Sequence, residues 1–411
     1  MTKNYFSLKF WAMIIALFAG FTFASCGKED EPIDPNNPPV VGVLTELTSP
    51  ITENTTLKDL GLPIDYVYKG TNLLEVKNNA TLTIEDSVTI QFTDKNGGIW
   101  ITDGATIKAL GTAGKHIQFV GGATKGSWQG ITVETNTENQ LKYVDFINGG
   151  SFSQTGVIYL VMSGARLAVD NCTISGSKGS GVFLENNDNL LLTSFQNNKI
   201  SGCDNTPLHL FGAYNLAVLD KTSDLTGNAV NYVEMHSTFE VDAQNLTINP
   251  TTVPYYFNAY AKVSASNTLI INAGTTMYFH ADVSFQVNDG AHIVVNGGTG
   301  VGEKVTFSHL PNSTAYWQGF EFFDSHGNIL KNCLIEYGGN PNNDANIYAY
   351  ARSSMSLENV ELNNSKMYGF KFINSSYPPD MAQVTSVNVT FSGNAGGNVF
   401  LPDETVSATM P

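Results

Sequence analysis

Charge is scarce in this sequence. Asp, Glu, Lys and Arg make up 14% of 411 residues, and only two are arginines, Arg166 and Arg352. The formal balance is -16, and it becomes -18 once the first 25 residues, with Lys3 and Lys9, are set aside. Such a surface repels nucleic acid and other polyanions, so no nucleic-acid partner is expected. Cysteine is rare too, at four residues. Cys172, Cys203 and Cys333 form no Cys-x-x-Cys pair and have no histidines spaced beside them, which excludes a thiolate metal centre. Cys172 and Cys203 also fall at different places relative to the turns Ile174-Ser175-Gly176 and Ile200-Ser201-Gly202, which argues against a stacked disulfide. All three read as small interior or turn residues. No ten-residue helical pattern is visible, so the glycines have no following helix with which to hold an anion.

What is present is a stretch that occurs twice. Thr81 pairs with Thr268, Asp103-Gly104-Ala105 with Asp289-Gly290-Ala291, Trp128-Gln129-Gly130 with Trp317-Gln318-Gly319, and Gly149-Gly150 with Gly338-Gly339. The echo continues through Asp170-Asn171 and Glu358-Asn359, then Gly181-Val182-Phe183 and Gly369-Phe370-Lys371. This is an internal duplication of about 190 residues, far longer than one solenoid repeat, so each copy is itself a set of smaller units. Those units show as Leu167-Ala168-Val169, Leu190-Leu191-Leu192 and Leu216-Ala217-Val218, which recur 23 and 26 residues apart. From Tyr368-Gly369-Phe370 to Gly397-Asn398-Val399 the interval is 29.

Runs such as Val88–Phe92, His116–Phe119 and Leu141–Phe146 alternate apolar and polar residues with period two, one face in and one face out. Short strands, tight turns and coils of about 23 to 29 residues resemble the right-handed parallel β-helix of pectate-lyase-like proteins over residues 45–402. The expected fold is therefore all-β, a single-stranded right-handed parallel β-helix over 42–411, with duplicated halves at about 45–250 and 251–402. In that fold Val182 and Leu184 stack on Leu208 and Leu210 of the next coil. Asn186-Asn187, Asn197-Asn198 and Asn363-Asn364 suit sharp corners, because Asn tolerates left-handed backbone.

The first 25 residues combine a Lys-bearing start, an apolar run from Phe10 to Phe23, and then Phe23-Ala24-Ser25-Cys26. The run is short for a membrane span. Small residues before a cysteine resemble the lipobox of bacterial lipoproteins, which implies that Cys26 carries the lipid. The following Gly27-Lys28-Glu29-Asp30-Glu31 resembles the surface-export signal of lipoproteins in the Bacteroidetes group. The implied location is the outer membrane, lipid-anchored and facing the cell exterior. Residues 26–41, rich in proline and acid, read as a flexible tether.

Chemistry is harder to find. β-Helix enzymes that cut acidic polysaccharides resemble one another in carrying a Lys or Arg base with nearby carboxylates. Arg166 and Arg352 occupy comparable places in the two copies, and a duplicated Arg fits the bracing of a carbonyl or carboxylate, since it does not readily lose a proton. Asp145, Glu185, Asp188, Asp204, Asp220 and Asp224 crowd the middle coils at differing places. The aligned acid pair that hydrolysis or calcium needs is not evident, so neither a metal nor a cofactor is expected. Trp128 and Trp317 share one setting and read as packing residues. Outward aromatics are better binding candidates: Phe183 and His209, then Lys371 and Phe400 by the same register, with Tyr348, Tyr350, Tyr255, Tyr256 and Tyr260 adding aromatic surface. The expected function is non-catalytic binding of glycan, or an adhesive scaffold. The alternative is a polysaccharide lyase or glycoside hydrolase, for which His209 as base with Arg166 and Glu185 is the one available trio.

Overall fold

The computed structural model describes residues 42–152, 155–185, 189–288, 290–340, 344–373 and 382–411. The expected leader, Cys26 and the tether lie outside the described residues, as do Asn186, Asn187, Asp188 and Asp289. Gly42–Pro411 form one compact unit.

That unit is a parallel β-solenoid of about 12 turns with 2% helix. Each coil of the first copy contributes one short strand to each of three ladders. Thr81–Ile84, Thr89–Phe92 and Gly98–Ile101 make one such coil, and the chain then returns to the first ladder at Thr106–Leu110. Period-two alternation decides which side chains enter the core. Val182, Leu184, Leu208 and Leu210 are all 0% exposed, and Val182 lies in register with Leu208. Burying each such side chain stabilises by about 1.5–3 kcal/mol.

Corners are made by residues that accept left-handed backbone. Tyr143, Asn171 and Asn197 have φ of 51°, 55° and 55°, and their counterparts Asn332, Asn359 and Asn388 have 48°, 53° and 53°. In the second copy these amides also bond from coil to coil. Asn388 Nδ2 donates to Asn359 Oδ1 at 3.0 Å, and Asn359 Nδ2 donates to Asn332 Oδ1 at 2.8 Å. The repeated Trp-Gln-Gly has a steric cause. Gly130 (φ 120°) and Gly319 (φ 92°) lie so close to the next coil that a Cβ would sit 2.1 Å from the Val157 carbonyl and 2.3 Å from that of Ala345.

The two copies do not stack face on face. Ser180–Leu184 and Tyr368–Ile373 match in sequence, yet the first belongs to the long ladder that continues through Leu208–Leu210, Val233–Met235, Tyr255–Phe257 and Thr276–Phe279. The second belongs to a separate eight-stranded sheet that begins at Phe239–Val241. Thr276–Phe279 itself echoes Thr89–Phe92, which lies in a different sheet of the first copy. The second copy is thus turned about the solenoid axis by one face. The turn is made in the junction, where the 3-10 helix Ala213–Val218 replaces a strand and three short strands start a new phase. At the C-terminal end Val406–Ser407 pairs antiparallel with Gly397–Phe400 and covers one ladder's edge.

Candidate functional site

The outward positions of the long ladder fall into one row. Registers link Glu75, Trp100, Thr132, Tyr159, Phe183, His209, Glu234, Tyr256, Tyr278 and Ser308 in sequence, one residue per coil. Glu336 follows, its Oε1 accepting a hydrogen bond from Ser308 Oγ at 3.1 Å. With strands about 4.8 Å apart, ten steps span about 48 Å. The row is aromatic in its middle, where Tyr159, Phe183 and His209 stack on one another.

Rings carry the centre. Tyr159 meets Phe183 edge-on at 5.7 Å, and Phe183 lies parallel to the His209 imidazole at 4.1 Å and 4°. Phe211 and His236 flank that imidazole at 5.8 and 4.6 Å, leaving His209 6% exposed. His209 Nδ1 and Glu234 Oε2 are 3.0 Å apart, while Nε2 is buried without a partner. Burial opposes ionisation of Glu234, but the hydrogen bonds and charge of His209 and His236 outweigh it and hold its carboxyl below the ordinary range.

Clefts flank the stretch from Glu75 to Glu336, beyond which the register runs on to Asn363 and Ser392. One of about 540 Å³ is lined by Tyr278, Ser308, His309, Tyr316, Glu336 and Tyr337. Burial pushes the His309 imidazole below its usual range, against the nearby Glu336 charge, and its ring meets Tyr337 edge-on at 4.0 Å. The other cleft, of about 460 Å³, is lined by Asn72, Glu75, Asn96, Trp100 and Gln129.

Against this geometry the expected residues separate into two groups. Phe183 and His209 lie together in the row. Lys371 and Phe400 do not join them; they occupy the eight-stranded sheet, in register with Tyr348, because of the turn between copies. Lys371 is engaged there. Its Nζ lies 2.9 Å from Asp344 Oδ1 and over the rings of Tyr348 and Phe400, and the Tyr348 hydroxyl donates to the same Asp344 oxygen at 2.6 Å. Tyr350 stacks on Phe323 at 4.3 Å. Tyr255 points inward at 1% exposure, its hydroxyl donating to the Asn249 carbonyl, so it adds no surface.

The trio of His209, Arg166 and Glu185 is not assembled. Arg166 lies in the six-stranded sheet, paired with Glu138, and Glu185 sits beside Tyr159, where burial first and its carboxylate next push the phenol up to about 12. Arg352 likewise pairs with Asp324 at 2.8 Å. The crowded acids are local: Asp145 meets His116, Asp204 meets Lys125, and Asp220 and Asp224 accept from threonines two residues on. Trp128 and Trp317 are 0% exposed and stack on Phe92 and Phe279 at 4.6 and 4.5 Å. Cys172, Cys203 and Cys333 are free and buried, their thiols pushed up to about 12 by burial.

Sequence reasoning missed Tyr159, Glu234, His236, Tyr278, His309 and Glu336 as site residues. A signal existed: from Tyr159 the row advances by 24, 26, 25, 22 and 22 residues to Tyr278, the coil length itself. Comparison with protein-family models, with curated proteins and with solved structures gives no match.

Proposed function

We propose that the chain is a lipid-anchored protein of the outer cell surface whose solenoid body binds polysaccharide, without cleaving it, along the row from Glu75 to Glu336. The observation that carries this reading is the row itself: rings in register on one sheet, flanked by two polar clefts. Aromatic faces take up the C–H surfaces of sugars, and the carboxylates and amides of the clefts suit hydroxyl groups. The anchor rests on Phe23-Ala24-Ser25-Cys26 and the acidic run behind it.

Two features weigh against cleavage. Glu234 and Glu336 are four strands apart along the row, about 19 Å by strand spacing, whereas a glycosidase sets its two carboxyls roughly 5–9.5 Å apart. His209 is covered by three rings and shares its Nδ1 with Glu234, so it is poorly placed to take a proton from a sugar. The test is a glycan array on the mature chain, run beside reducing-end and unsaturated-product assays on the polysaccharides retained. Phe183→Ala and Tyr278→Ala are each expected to weaken retention by about 1–3 kcal/mol with no product from any variant. Product from the wild type that disappears in His209→Ala would overturn the reading, as would unchanged retention in both ring variants.

A further inference from the structure

Midway along the row, two histidines that the sequence never aligned converge on one carboxylate. His209 Nδ1 lies 3.0 Å from Glu234 Oε2, and His236 Nδ1 lies 3.5 Å from Glu234 Oε1. Ligand atoms from the three residues all fall within 4.8 Å of one another. Two histidines around a single carboxylate is a donor set of imidazole nitrogen and oxygen, which suits zinc and its neighbours and not calcium or magnesium, which want oxygen alone.

We propose that His209, Glu234 and His236 form a binding site for a divalent transition-metal ion of the zinc type. A tetrahedral ion with bonds of about 2.1 Å needs donors about 3.4 Å apart, and the nitrogen–oxygen contacts of 3.0 and 3.5 Å, one to each oxygen of the carboxylate, are of that order. The remaining pair, the two imidazoles, has ring centroids 4.6 Å apart and closes by a small rotation of His236, whose side chain is 51% exposed. Rigidity comes from the scaffold. His209 and Glu234 are in register on paired strands, and Asn258, just past the next strand, sets its Nδ2 2.9 Å from both Glu234 Oε1 and His236 Nδ1. That amide can turn over to offer its oxygen to an ion.

A second observation points the same way. His209 is 6% exposed, and its Nε2 is buried with no hydrogen-bond partner, so this imidazole has two nitrogens but a single polar contact. That single contact aims Nδ1 at the Glu234 carboxylate, and Phe183, Phe211 and His236 packed on the ring hold it there, so the ligand atom is already oriented. The body's formal excess of acid over base favours any cation that reaches the row. Metal content reads the site directly, whatever the row binds.

The experiment uses the mature chain stripped with a chelator, equilibrated with micromolar zinc chloride and desalted before metal analysis. One zinc per chain is expected, with visible d–d absorption when cobalt(II) replaces zinc. His236→Ala and Glu234→Gln are expected to lower zinc affinity about tenfold or more, and His326→Ala, an exposed histidine in the loop before Asn328–Glu336, to leave it unchanged. His236 is exposed, so His236→Ala should fold, and circular dichroism verifies this before the metal is measured. A wild type that retains no zinc, or a folded His236→Ala that retains it as tightly as the wild type, overturns the proposal.

Discussion

Replacing Trp317 by Phe, beside Trp128 by Phe, asks whether the duplicated Trp-Gln-Gly is one packing device used twice. Each indole is 0% exposed and stacks on a phenylalanine, Trp317 on Phe279 at 4.5 Å and 17°, Trp128 on Phe92 at 4.6 Å and 5°. Each Nε1 donates to a carbonyl 19 residues on, to Glu336 at 2.8 Å and to Ile147 at 2.9 Å. Phe keeps the stack and loses the donor, so the lost hydrogen bond costs about 1–3 kcal/mol, and the void left by the smaller ring adds to it. We expect about 2–3 kcal/mol at either position and about 5 kcal/mol for Ala, which also removes the stack. Equilibrium unfolding in guanidinium by far-UV circular dichroism measures this. Because a solenoid need not unfold in one step, hydrogen exchange of Gly130–Val133 and Gly319–Phe322 locates the loss. The sites differ in one respect. Trp317 donates through its indole to the Glu336 carbonyl and through its backbone N–H to the Tyr337 carbonyl, and both of those residues line the larger cleft. Trp317→Phe should therefore also weaken glycan retention at that cleft. Equal unfolding midpoints for wild type and both Phe variants would refute the packing argument.

Other consequences can be checked separately. Leu184→Asp places an unpartnered charge among residues that are 0% exposed and should cost ~4 kcal/mol or more, against ~3 for Leu184→Ala; a midpoint unchanged by Asp would place that side chain in water. His309 is held neutral by burial, so its folded pKa lies below the unfolded value of about 6.5. Its contribution is complete above that value and is lost as pH falls from about 6.5 through the folded pKa, and the difference in thermal midpoint between pH 7.5 and 5.5 should shrink in His309→Gln. Equal pH dependence in the two proteins would sink that assignment. Cys26→Ala should move the protein from the membrane fraction to the soluble one, and unchanged retention would remove the lipid-anchor reading.

The parts of this protein that are local in the chain were legible in its sequence. Period-two alternation placed Val182, Leu184, Leu208 and Leu210 inside, because inward and outward sides of a strand are set by neighbouring residues alone. The matched setting of Trp128 and Trp317 identified them as packing residues, and the Asn corners followed from what Asn backbone tolerates. Which coils face which was decided elsewhere. Phe183 and Lys371 occupy equivalent places in the repeat but lie on different sheets, because the junction inserts a 3-10 helix and short strands that advance the chain by one face. A period read from matched motifs counts residues and not turns, so it does not detect that advance. The site depends on the same step. His209, Glu234, His236 and Asn258 come from coils at and after the junction, where the sequence no longer echoes itself, and only the stacking of those coils brings their side chains to one point.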